Sequence, residues 1–114
     1  MQAKAEARYI RVSPQKARLV VDLIRGLQAG AALNILRAAN KRIAPTVEKV
    51  LQSAIANAVN RDEDLDVDTL VVSEAYVHEG PRMKRVRPAP MGRAYRYQRR
   101  SSHIVIKVAG KDNE

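Results

Sequence analysis

Few residues in this chain can do acid–base, nucleophilic or metal chemistry. His78 and His103 are the only histidines and cysteine is absent, so a zinc site lacks ligands of the right kind and number. Ser101-Ser102-His103 sets a hydroxyl beside an imidazole. Neighbouring strand residues point to opposite faces, however, so the run reads as the start of a strand and not as a nucleophile–base pair. Asp62, Glu63, Asp64, Asp66 and Asp68 have the composition of a calcium loop. Counted from Asp62, the required Gly falls on Val67 and the closing Glu on Ser73, so the spacing fails and the segment reads as a solvated loop. Gly110-Lys111 lacks the upstream Gly of a phosphate loop and runs into Asp112. No catalytic residue, cofactor or metal is expected, and the chain does not read as an enzyme.

The chemistry that does stand out is recognition of anions. Residues 80–103 contain no acid and eight bases: Arg82, Lys84, Arg85, Arg87, Arg93, Arg96, Arg99 and Arg100. Seven of the eight are Arg, whose planar fork matches phosphate oxygens and base edges where Lys offers a point charge. Tyr95 and Tyr97 lie among them and could stack on bases. A second basic group, Arg8, Arg11, Lys16, Arg18 and Arg25, surrounds the first predicted helix, and Lys41 and Arg42 precede the longest one. These residues are the candidate RNA contacts.

The elements that must hold them can be read from spacing. Residues 2–12 alternate loosely and end in Tyr9-Ile10-Arg11-Val12, a strand. Ser13-Pro14 reads as an N-cap followed by Pro at the first helical position, and Ala17, Val20, Val21 and Ile24 repeat at helical spacing up to Gly26. A second helix is expected over about 29–39, with Leu33, Leu36 and the alanines as its apolar side. A third runs from Ala44-Pro45 to Asn60, with Val47, Val50, Leu51, Ala54, Ile55, Ala58 and Val59 as a buried stripe. Thr69 to Glu79 and Ser102 to Val108 alternate as strands, the latter with Ile104, Ile106 and Val108 on one face. The order is β-α-α-α-β-β, an α+β fold in which a small three-stranded antiparallel sheet packs on three helices.

The basic block lies between the last two strands, and a structureless stretch of that length is uncommon unless functional. Pro88-Ala89-Pro90-Met91-Gly92 reads as its turning point. Its arms would continue the flanking strands as a long protruding β-hairpin, reaching about 33 Å for roughly ten residues per arm. With cations on both faces, such a hairpin repels itself in water and needs an anionic enclosure.

The chain has 114 residues, room for one domain, expected to divide into a globular part, about 1–79 and 101–114, and the hairpin at about 80–100. Residues 1–61 carry a net +8, residues 62–79 carry −7, and the formal total is +9. A pI of about 10.4 with four Tyr and no Phe or Trp points to a polyanionic partner. No apolar run approaches a membrane span and the N-terminus lacks a signal-peptide core, so cytoplasm is the expectation. No apolar helix face demands a second copy, so no homo-oligomer is expected. The alternative reading is an architectural DNA-binding protein with a basic β-arm, Pro88 or Pro90 wedging between base steps.

Taken together, these residues resemble the family of the bacterial large-subunit ribosomal protein numbered twenty-two. The resemblance rests on Val12-Ser13-Pro14-Gln15-Lys16-Ala17-Arg18-Leu19-Val20, Leu23-Ile24-Arg25-Gly26 and Ser53-Ala54-Ile55-Ala56-Asn57-Ala58. It continues through Glu79-Gly80-Pro81, Lys84-Arg85, Gly92-Arg93-Ala94 and Ser102-His103-Ile104. It implies a structural protein that binds large-subunit (23S) rRNA, contacts several of its domains and acts early in subunit assembly. The globular part would sit near the polypeptide exit with the hairpin lining the tunnel wall. Met83, Lys84, Arg85, Arg87, Pro88, Ala89, Pro90, Met91, Gly92 and Arg93 would form the tunnel-lining tip. Implied neighbours are other large-subunit proteins, including ribosomal protein four at the constriction, the nascent polypeptide, and macrolide antibiotics nearby. Many relatives carry Arg directly after the tip proline, where this chain has Ala89 and then Pro90.

Overall fold

The computed structural model describes residues 2–80, 83–88 and 94–110, and for 83–88 and 94–99 the path of the backbone. Strand β1 spans Gln2–Ile10, and helix α1 follows over Pro14–Ile24. The start of α1 is built as its residues predict: the Lys16 N–H donates to Ser13 Oγ at 3.4 Å, and Pro14 occupies the first turn, where no N–H is needed. Its end is set by Gly26, whose φ of 83° is cheap only for glycine. Helix α2 covers Ala29–Ala38, with the Gln28 side chain accepting from Ala31 N–H as its cap. Helix α3 covers Ala44–Arg61.

A 3-10 turn at Val67–Thr69 takes up Thr69, the first residue of the expected second strand, so strand β2 runs Val71–Glu79. Strands β3 (Met83–Pro88) and β4 (Ala94–Arg99) come next, and β5 (Ser102–Ala109) closes the fold. Three strands form an antiparallel sheet in the order β1-β5-β2, with β5 in the centre. The remaining two strands pair antiparallel in a separate sheet, from Met83 opposite Arg99 to Pro88 opposite Ala94. The expected α+β architecture is present, with the two arm strands as additional elements.

All three helices cover one face of the sheet: α3 lies over β1 and β5, α1 over β2, and α2 packs on α3. Between them lie Ala3, Ala5, Val72, Ala75, Val77, Ile104, Ile106 and Val108 from the sheet. The helices meet these with Ala17, Val20, Val21, Ile24, Leu36, Val47, Leu51 and Ala54. The α3 stripe is narrower than expected. Val59, one residue beyond the buried Ala58, is carried off the stripe and is exposed, and Ile55 is only partly buried. Small alanines on β1 and the helices let the layers approach closely, which suits a core without a single Phe or Trp.

The arm leaves the sheet where β2 ends and β5 begins. The Gly80 N–H donates to Ser101 O at 2.9 Å, and a Cβ at Gly80 would lie 2.5 Å from Ser101 Oγ. A side chain here would force the Ser101 hydroxyl to turn away and would crowd the Ser101 carbonyl, so the crossing favours glycine. The molecule measures 66 Å along its longest axis against 25 and 19 Å across, and its radius of gyration is 17.5 Å. A compact domain of this length would have about 13 Å.

Candidate nucleic-acid interface

The arm carries its cations on an antiparallel ladder. Register pairs Arg85 with Tyr97 and Arg87 with Tyr95, so these four residues share one face with Arg99. Lys84, opposite Gln98, and Arg96, opposite Val86, share the other. Both faces of the two-stranded sheet therefore bear basic residues, and on the face of Lys84 and Arg96 the apolar positions are confined to Val86, Pro88 and Ala94 at its outer end. Of the expected contacts and tip residues, Arg82, Ala89, Pro90, Met91, Gly92 and Arg93 lie outside the described residues. Met83 and Pro88 lie at the two ends of β3.

The remaining expected cations divide into two groups. Arg11, Lys16, Lys41, Arg42 and Arg100 are exposed on the body of the fold. Arg8 is also exposed and its Nε lies 3.2 Å from Glu6 Oε1. By contrast, Arg18 and Arg25 are occupied by the sheet. Arg18 Nη2 donates to Val77 O at 3.1 Å, and Arg25 donates to Ala75 O through Nε at 3.0 Å and Nη2 at 2.6 Å. Arg25 also meets Asp22 at 2.8 Å.

These carbonyls belong to the outer edge of β2, a row of groups that a sheet must satisfy or shield. Further along that edge, Gly26 N–H donates to Val72 O, Val72 N–H to Leu27 O and Ala29 N–H to Leu70 O. The opposite edge, on β1, is treated in the same way from α3. Asn57 Nδ2 donates to Lys4 O at 2.9 Å and Arg61 Nη1 to Gln2 O at 2.7 Å. Helical spacing alone cannot reveal this role, because an Arg on a solvated helix face and an Arg reaching a strand edge have the same sequence signature.

The other chemistry-bearing residues have local structural work. Asp62 and Asp66 carboxylates accept the N–H groups of Asp64 and Asp68, which is turn formation. Among the described residues, no three acidic or histidine side chains gather as a metal site. The buried Ser102 donates from Oγ to Val12 O at 2.7 Å, while His103, on the opposite face, accepts from Tyr9 N–H at Nδ1. Serine and histidine are thus directed apart. Glu74, 2.9 Å from Lys107 Nζ, raises the Lys107 pKa by its hydrogen bond and charge and keeps the ammonium protonated.

The order and spacing of these elements can be compared with known proteins. The family model for ribosomal protein L22p/L17e matches residues 5–109, which takes in every strand and helix described above except the first three residues of β1. The chain belongs to the ribosomal protein L22p/L17e family. It is 82% identical over 112 residues to the large ribosomal subunit protein uL22 of Solibacter usitatus, covering 98% of this chain and 99% of that relative. Against the protein of the same name from Koribacter versatilis the identity is 54% over 115 residues, covering 97% of this chain and 69% of the relative. The family is one of ribosomal proteins and not of enzymes, which agrees with the poverty of catalytic groups in the sequence. No helix among the described residues is long and apolar enough to cross a membrane.

Proposed function

We propose that this chain is a structural constituent of the large ribosomal subunit in the cytoplasm and works by binding large-subunit (23S) rRNA. The observation that carries this reading is the separate two-stranded arm, with Arg and Lys on both faces and no acid between residues 80 and 103. Such an arm is poorly suited to isolation in water and well suited to an enclosure of phosphates, where counterion release supplies much of the affinity.

In this reading the chain is one domain, with a globular part at about 1–79 and 101–114 and a hairpin at about 80–100. The hairpin contacts several rRNA domains early in assembly and lines the polypeptide exit tunnel, with Met83 to Arg93 at its tip. The tip approaches ribosomal protein four, the nascent chain and the macrolide-binding region. Arg11, Lys16, Lys41, Arg42 and Arg100 support the body of the fold on RNA, and Arg8 contributes where Glu6 leaves it exposed. Arg18 and Arg25 would reach phosphate only with N–H groups not spent on Val77 and Ala75.

The experiment is a binding titration against folded large-subunit rRNA and duplex DNA at matched salt. Preference for rRNA is expected. Equal or tighter binding to duplex DNA would replace this reading with that of an architectural DNA-binding protein.

A further inference from the structure

The sheet face turned away from the helices carries a row of four aromatic rings. Tyr9 on β1 meets His103 on β5 edge-on, with centroids 4.9 Å apart and planes at 86°. Tyr76 and His78, both on β2, meet at 4.9 Å and 70°. His78 and His103 are register partners, so the row crosses all three strands at the end of the sheet that leads into the arm.

Tyr9 reaches this row by an unusual backbone. Regular alternation would place it with Ala3, Ala5 and Ala7 toward the helices. Instead the β1–β5 register shifts between Ala7 and Ile10, Ile10 packs against the core, and Tyr9 is left 65% exposed. Its φ is 58°, the one positive value at a non-glycine among the described residues. The Tyr9 N–H donates to His103 Nδ1 at 3.0 Å and holds the bulge. Bulges that re-aim a side chain and strained backbone both concentrate at functional sites. Here they present a large aromatic to solvent when the default geometry would have buried it.

The charge around the row suits an anion's backbone. Arg8 adjoins Tyr9, and Arg11 and Arg100 lie just past the Ile10–Ser102 pair at the same end of the sheet. Lys107 Nζ stands 5.9 Å from the Tyr76 ring centroid. The acids on this face, Glu6 and Glu74, are each matched by a cation, Arg8 and Lys107.

We propose that this face is a base-stacking platform: an unpaired RNA nucleobase lies on the exposed Tyr9 ring, with its flanking phosphates toward Arg8, Arg11 and Arg100. The inference rests on the RNA-binding reading above and adds a second surface, distinct from the arm. Stacking on aromatic side chains beside a basic groove is how single-stranded nucleic acid is commonly held.

The test titrates the full-length protein with a short single-stranded oligoadenylate, an abasic oligomer of equal length, and folded large-subunit rRNA. Wild type is expected to prefer oligoadenylate over the abasic chain by about tenfold, with the Tyr9 ring resonances shifting on binding. Tyr9→Ala should remove that preference and Tyr9→Phe should keep it. All three proteins should share one salt slope, since no charge is altered. Equal wild-type affinity for the two oligomers, or unmoved Tyr9 resonances with oligoadenylate bound, overturns the platform and leaves the rRNA reading standing. Failure to bind folded rRNA at all would overturn both.

Discussion

At the level of single residues, arginine does two different jobs in this molecule, and neighbouring groups decide which. Arg18, on α1, and Arg25, the residue that caps its C-terminus, reach carbonyls two positions apart on β2. Each replaces a hydrogen bond that a further strand would otherwise make, so together they close the β2 edge against strand pairing. The double substitution Arg18→Ala, Arg25→Ala is expected to lower unfolding stability by about 1–3 kcal/mol, the usual cost of unmaking hydrogen bonds of this kind. It should also promote concentration-dependent self-association in sedimentation velocity. Arg11→Ala with Lys16→Ala, at positions that touch no strand edge, should change neither quantity. A stable, monomeric Arg18/Arg25 variant would show that the edge needs no seal.

At the level of elements, the helices and the central strand were legible because burial is periodic. Ala17, Val20, Val21 and Ile24 mark α1 at helical spacing, and Ile104, Ile106 and Val108 mark the inner face of β5, all of them buried. Ser13, Pro14 and Gly26 add local chemistry that allows few alternatives. The bulge in β1 was not legible, since no Gly or Asn marks it; Tyr9 takes a positive φ because Ile10 gains burial and His103 supplies an acceptor from a distant strand.

The arm was legible as an excess of charge and a turn signal, but its ladder register was not, because cations fall on both faces and the few apolar positions do not mark one face as inner. The same charge-rich pattern predicts its dynamics. Amides of β3 and β4 should exchange much faster than those of β5 in the free protein, and gain protection when rRNA is bound. Equal protection in the two states would mean that the arm is ordered without its partner.

At the level of the whole molecule, charge is separated from burial. The body buries its apolar side chains between one sheet face and three helices, while 21 Lys and Arg against 12 Asp and Glu leave a net +9 distributed over the arm and the surface. Affinity for rRNA should therefore fall steeply with salt, and each phosphate-contacting cation removed should reduce the slope of log K against log salt by about 1. The fold makes the expected losses unequal.

Arg85, Arg87, Arg96 and Arg99 lie on a ladder with cations on both faces, so replacing all four by Gln should lower the slope nearly in proportion while leaving the thermal transition of the body in place. Replacing Arg18, Arg25, Arg37 and Arg61 removes the same formal charge. However, these side chains already serve Val77, Ala75, Glu48 and Gln2, so the thermal transition should drop and the slope should change less. If the two sets instead altered slope and stability alike, the cations would be interchangeable, and the division between an RNA-directed arm and a self-sealed body would have no physical basis.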